Sequence, residues 1–404
     1  NFITDMVETP ISNKGPIKWY HFKIPLKSPE AVVGNIEDFK SIRFARMYLR
    51  DFSDSIILRF ARLDLVRTEW RKYESSLLLP GESVTPNTGT LFDVSTVNIE
   101  ENGQRAPVNY VLPPGIERET DISTTNLAEL NEQSITLRVC DLEDGDARAA
   151  YKTTQFDVRT YKRLKMYIHA ESLIGSTPLQ DKELSAFIRV GSDFTGNFYE
   201  YEVPLLVTPD GTLDPDGIWP ASNWIDLETS KLINAKLQRN SLNWSRLAPY
   251  SVADGNNKIT VIGNPNISEI RVIMIGVRNL KDGGPARCGE IWVNELRVTD
   301  FDEEGGWAAT ARVNAQLADF GSVALVGNRS TIGFGSIEQK VSERKKEDNI
   351  SYDFSTSLEL GKFFPEHFGL KIPMYFGYAE SFTNPQYNPL DPDVLFNNAL
   401  DAAP

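Results

Sequence analysis

The side chains with the most chemistry to offer are few and widely spaced. Cys140 and Cys288 stand 148 residues apart, and His21, His169 and His367 have no second His or Cys near them in sequence. Zinc, haem and iron–sulfur sites draw their ligands at short, repeating intervals, so no metal and no cofactor is assigned. The run Asp141-Leu142-Glu143-Asp144-Gly145-Asp146 is dense in carboxylates. It lacks the alternating order and the closing glutamate of a calcium loop, and reads as a solvated turn. Gly333-Phe334-Gly335 leads into a strand and loop, not a phosphate-binding helix, and no catalytic residue is assigned.

Two chemistries remain. Cys140 ends one strand-like run and Cys288 precedes another, and the first and last strands of a β-sandwich commonly neighbour each other. A Cys140–Cys288 disulfide is therefore a candidate in an exported protein, and two buried free thiols would serve the core equally well. Trp219, Trp224 and Trp244 could form a stacking platform for sugars. Tyr199 and Tyr201 could join it, although two tyrosines two apart in a strand read first as packing.

These residues must be placed by a scaffold whose class the composition bounds. The 404 residues are 41% hydrophobic, which excludes wholesale disorder. Lys plus Arg total 42 against 56 Asp plus Glu, a net charge of -14, so phosphate backbones would be repelled and nucleic acid is not expected as a partner. No run of apolar residues is long enough for a membrane helix, a test that a β-barrel passes unseen. Asn1-Phe2-Ile3-Thr4-Asp5 resembles neither an initiator nor a secretory leader, and the chain is expected to be a fragment of something longer.

Hydrophobicity alternates with period two. Ile135, Leu137 and Val139 alternate with Thr136, Arg138 and Cys140, and Leu164, Met166 and Ile168 with Lys165, Tyr167 and His169, the mark of half-buried antiparallel strands. An internal repeat matches residues 19–26, 42–52 and 58–66 to residues 198–205, 270–280 and 291–299. The expected fold is all-β: a complete jelly-roll-like sandwich over 134–301 with an insertion at 207–266, and the closing half of a similar one over 1–73. Residues 74–133, with Pro80-Gly81 and Pro113-Pro114-Gly115, read as an extended connector. Within the insertion, residues 227–240 predict a short amphipathic helix capped by Asp226, with Leu227, Leu232, Ile233 and Leu237 on its apolar face.

From residue 302 to 404 the pattern is that of barrel strands and loops. Trp307, Ala309, Ala311, Val313, Ala315 and Leu317 occupy alternate positions against Ala308, Thr310, Arg312, Asn314 and Gln316. The first set suits a lipid bilayer and the second suits water; a third soluble sheet would alternate in the same way. Further alternation follows at 352–360 and 370–378. Tight turns are expected near Asp319-Phe320-Gly321 and at 363–368, with a long charged connection over 336–350. Outer-membrane barrels put long loops outside, so residues 134–301 are expected on the extracellular side. A turn at Gly327-Asn328-Arg329 would add a crossing and reverse that expectation, whereas a bulge would not.

Four blocks carry a resemblance: VNIEENGQRAPVNYVLPPGI at 97–116, GGWAATARVNAQLADFG at 305–321, GFGSIEQKVSERKKED at 333–348 and NPQYNPLDPD at 384–393. They resemble the SprA/Sov family, the giant outer-membrane translocon of the type IX secretion system of Bacteroidetes, also required for gliding motility. The resemblance implies a very large single-chain β-barrel in the bacterial outer membrane with a protein-conducting lumen for secreted cargo proteins. It also implies soluble insertions, a smaller outer-membrane shuttle barrel and a plug protein as partners, and no enzyme activity. The functional expectation is a fragment of that translocon whose sandwich caps or gates the pore. The alternative is a cell-surface glycan-binding jelly-roll module with no transport role.

Overall fold

A computed structural model describes residues 3–9, 16–22, 24, 26, 31–33, 46–61, 63, 70–73, 75–78, 89–120, 129–340 and 343–401. Two compact units are present, Asn1–Thr68 and Glu69–Pro404. In the first, β1 (Ile3–Thr9) and β2 (Ile17–Phe22) form an antiparallel pair. The sequence repeat predicts further strands over 42–52 and 58–66, but residues 46–61 carry none. Met47, Tyr48, Phe52, Ile57 and Phe60 are exposed there; a strand exists by bonding to a neighbour, and among the described residues none pairs with this stretch. Pro25, Ile42 and the Pro80-Gly81 pair lie outside the described residues.

The second unit begins with β3 (Arg71–Lys72), β4 (Leu91–Asn98) and the one-turn α1 (Ile99–Asn102). There follow β5 (Gln133–Leu142), β6 (Ala147–Phe156), β7 (Tyr161–Glu171), β8 (Leu184–Gly191) and β9 (Phe198–Pro204). The insertion supplies α2 (Pro215–Ile218), β10 (Ile225–Glu228), α3 (Thr229–Ser241), β11 (Tyr250–Asp254) and β12 (Asn257–Ile262). Two long strands, β13 (Ile270–Asn279) and β14 (Arg287–Phe301), complete two antiparallel sheets. Their strand orders are β11-β12-β9-β8-β13-β6-β3 and β10-β7-β14-β5-β4.

One core cluster contains residues of both sheets: Leu137, Val139, Met166, Ile168, Ile291 and Val293 from the smaller, Ile188, Val190, Tyr199, Tyr201, Ile275 and Val277 from the larger. Each such side chain, fully buried, contributes roughly 1.5–3 kcal/mol. The expected jelly roll is met as far as an all-β pair of antiparallel sheets. Alternation decides which residues point inward, and Tyr199 and Tyr201 are core.

The 74–133 segment takes part in the sandwich rather than merely spanning it. Residues 91–98 form the edge strand paired with β5, Val94 opposite Leu137. Asn98 caps α1, its side chain accepting from the Glu101 amide at 2.9 Å, which satisfies one of the orphan donors of a helix start. Val108 and Tyr110 are buried against Trp219 and Trp292. The insertion helix starts later than the sequence predicts: Asp226 and Leu227 sit in β10, where Leu227 pairs with Leu164, and the N-cap is Glu228. The Ile225/Leu227 alternation finds a strand partner, and sheet pairing overrides the helical pattern.

Downstream, β15 (Ala308–Leu317), β16 (Gly321–Ser330), β17 (Glu347–Glu359) and β18 (Pro373–Pro385) form an antiparallel meander. Strand β16 runs through Gly327-Asn328-Arg329 without a register shift, so there is neither a turn nor a bulge there. Residues 363–368 are not a tight turn, because the link between β17 and β18 spans 360–372 and contains two 3-10 turns. The meander is open: β15 and β18 are its two edges. The short pair β19 (Tyr387–Asn388) and β20 (Asp391–Leu395), then α4 (Phe396–Asp401), follow. No helix among the described residues is long and apolar enough to cross a membrane.

Candidate functional site

Four strands in unshifted register put every second residue of each on a common face. One face carries Leu317, Gly321, Leu358 and Met374 in its first row, then Ala315, Val323, Thr356 and Phe376. Val313, Leu325, Phe354 and Tyr378 follow, then Ala311, Gly327, Tyr352 and Glu380, and last Ala309, Arg329, Ile350 and Phe382. The opposite face is polar on two strands, with Thr310, Arg312, Asn314 and Gln316 on β15 and Ser351, Asp353, Ser355 and Ser357 on β17, and mixed on the others, with Ala324 and Val326 on β16 and Tyr375 and Ala379 on β18.

The apolar face is uncovered. Every residue of β15 is exposed, and Val313 is 59% and Phe376 51% accessible. Soluble proteins rarely leave a contiguous apolar patch of more than a few hundred Å² in water. The ten steps from Trp307 to Leu317 span about 34 Å along the strand. At a tilt of about 40° this is about 26 Å in height, close to the apolar band of an outer-membrane barrel.

Polar groups gather at one end of the apolar face. The Arg329 guanidinium lies 5.2 Å from the centroid of the Trp307 ring, and Glu380 accepts from the hydroxyls of Tyr352 and Tyr378. Tyrosine and tryptophan with charged neighbours suit a membrane–water boundary. The sandwich attaches at this end. The Asp302 amide donates to the Thr160 carbonyl at 2.7 Å just before Trp307, and Lys346, in the link between β16 and β17, lies 3.7 Å from Asp157.

The other expected sites fare differently. Cys140 and Cys288 are joined, with Cα atoms 3.9 Å apart, beside the β5–β14 register shift. With Asp141 they are the three potential metal ligands found together among the described residues, and the bond between the sulfurs uses up the thiolates that a metal would need. The sugar platform does not assemble. Trp219 is fully buried, donating its indole N–H to the Val111 carbonyl at 2.9 Å, so neither ring face is open. Trp224 packs on Tyr167 at 4.9 Å, while Trp244 lies against Tyr250 at 6.1 Å. In the carboxylate run, Asp146 pairs with Arg148 and Asp144 accepts from the Asp282 and Gly283 amides, as a turn requires.

Sequence reasoning missed a buried charge network on the outer side of the smaller sheet. Arg105 bridges Glu171 at 2.7 Å and Glu290 at 3.0 Å, and Arg138 holds the other Glu290 oxygen at 2.7 Å. His169 stacks on Trp292 with centroids 4.0 Å apart. Burial pushes the Glu290 carboxyl up, but Arg105 and Arg138 outweigh it and hold the group below the ordinary carboxylate range. Alternation does mark Arg138 and His169 as outward-facing; His169 is buried because the insertion lays Ile218 and Trp219 over it, while Arg138 stays partly exposed.

No curated protein matches the chain. A family model described as motility related/secretion protein, SprA_N, matches residues 1–400. The chain therefore belongs to the SprA_N family of motility-related and secretion proteins.

Proposed function

We propose that the four-stranded meander is part of the wall of an outer-membrane, protein-conducting β-barrel serving type IX secretion and gliding motility. Its apolar face meets lipid and its polar face lines the lumen through which secreted proteins pass. The observation that carries this reading is a mainly apolar, uncovered face on four strands paired in unshifted register, with its charged residues Arg329 and Glu380 confined to one end. The open edges β15 and β18 are where neighbouring wall strands would bond, since an unpaired edge cannot face lipid. On this reading the sandwich, attached at the end of the sheet opposite the short 318–320 turn, lies on the extracellular side as a cap on the pore. A shuttle barrel that receives cargo and a plug protein are the partners this reading calls for.

A single-cysteine scan over 308–317 in the full-length protein in its native cells tests the assignment. Water-soluble maleimide should label Thr310→Cys, Asn314→Cys and Gln316→Cys, and spare Ala311→Cys, Val313→Cys and Ala315→Cys until detergent is added. Equal labelling of both sets would contradict it. The glycan-binding alternative has no supporting observation, because its central tryptophan is buried.

A further inference from the structure

Beyond β18 the chain turns back to the sandwich and buries a strap of acidic residues in it. Asp393 is fully buried and Val394 nearly so. The Asp393 carboxylate accepts from the Tyr199 hydroxyl at 2.7 Å and from Lys236 Nζ at 2.9 Å. Lys236 also pairs with Asp391. From the other side, Arg159 donates to the Pro392 carbonyl at 3.0 Å and lies 4.4 Å from the centroid of the Tyr387 ring.

The receiving helix face is unusual. Helix α3 buries Lys236 and Arg239 completely, beside Leu232 and Ala235, at positions that an amphipathic helix normally fills with apolar side chains. A buried ammonium without a carboxylate is strongly destabilising, so this face is built to receive acidic groups. The sheet has two further ties to the sandwich, the covalent stretch 302–306 between β14 and β15 and the partly exposed Lys346–Asp157 pair at 3.7 Å, which water screens. Within the covalent stretch Gly305 has no atom within 4 Å of where a Cβ would stand.

These ties differ in kind. Buried ion pairs contribute little net stability, because rehydration of the separated charges offsets their loss. Apolar docking of the kind that fixes Trp219 has no such offset. A strap held by Lys236, Tyr199 and Arg159, with Val394 as the one buried apolar side chain of β20, therefore has an open state nearer in free energy to its closed one than an apolar-docked segment would have.

We propose that Asp391-Pro392-Asp393 is a releasable latch, and that its release lets the sandwich swing about Gly305 away from the lumen. This rests on the reading of the meander as channel wall, and it adds a gate at named residues.

The test uses full-length protein carrying Val394→Cys, with and without Asp391→Asn plus Asp393→Asn. In detergent solution, maleimide should label the latch-neutralised protein roughly tenfold faster or more. In native cells the same substitutions should admit a large polar antibiotic that the intact outer membrane excludes. Unchanged labelling overturns the latch, and faster labelling without added permeability overturns the gate. If the doubly neutralised protein fails to accumulate, Arg159→Ala, which loosens the strap from its outer side, is read by the same two measurements. The labelling arm needs no membrane, so it stands apart from the channel-wall reading.

Discussion

Arg189 donates to a single oxygen of Glu200 through both Nε, at 2.9 Å, and Nη2, at 2.6 Å. Arg278 takes the other Glu200 oxygen at 2.8 Å. Glu200 is fully buried, and burial alone would raise its pKa. The guanidiniums of Arg278 and Arg189 reverse that and hold it at about 2, against an ordinary value of 4.5. A folded-state pKa depressed in this way contributes stability that is present above the unfolded value and is lost as pH falls toward the folded one. The sandwich should therefore hold its melting temperature down to about pH 4.5 and lose stability between there and about pH 2. Glu200→Gln should cost about 3–5 kcal/mol at neutral pH, because buried Arg189 loses its carboxylate and Arg278 keeps only Glu202, and should flatten that acid limb. An acid limb as steep in Glu200→Gln as in the parent would assign the pH dependence to other carboxylates.

The Cys140–Cys288 bond closes a sequence separation of 148 residues. A long cross-link removes much of the freedom of the unfolded chain, roughly 4–5 kcal/mol in the loop-entropy picture. Peptide mapping of the native exported protein should find neither thiol alkylated without reductant. Cys140→Ser with Cys288→Ser should lower the melting temperature, and free thiols in the native protein would contradict the assignment.

The side of the membrane is open to a direct measurement. Leu242, just past α3, is 64% accessible. Leu242→Cys should react with a membrane-impermeant maleimide in intact cells. Reaction only after the outer membrane is permeabilised would place the sandwich in the periplasm.

Much of this architecture is written in the alternation. The inward sets around Leu137 and Met166, and the apolar set from Trp307 to Leu317, follow from period two alone, since a strand residue can point only two ways. What alternation cannot state is what lies on each face. The outward His169 and Glu290 read as solvated until the insertion lays Ile218 and Trp219 over the first and the 99–116 segment brings Arg105 to the second. Lys236 and Arg239 read as the wet side of a helix until the strap brings Asp391 and Asp393 to the first and the Gly263 carbonyl takes the second. The 46–61 stretch has strand periodicity without a partner among the described residues, because local pattern fixes preference and pairing fixes structure. The loop-length expectation at 363–368 failed for a related reason: Pro365 and the left-handed Gly369 punctuate a longer excursion and do not close a hairpin.

The account stands or falls on one face of one strand, and a pair of neighbouring substitutions addresses it most directly. Val313 lies midway along the apolar face of β15 and Asn314 on the polar one. In the full-length protein, Val313→Arg should cost about 2–4 kcal/mol by setting a charge near the bilayer midplane, while Asn314→Arg should cost little. Outer-membrane yield and heat-modifiable migration should fall sharply for Val313→Arg and stay near the parent level for Asn314→Arg. Equal yield and equal heat-modifiability in the two variants would contradict a lipid-facing wall.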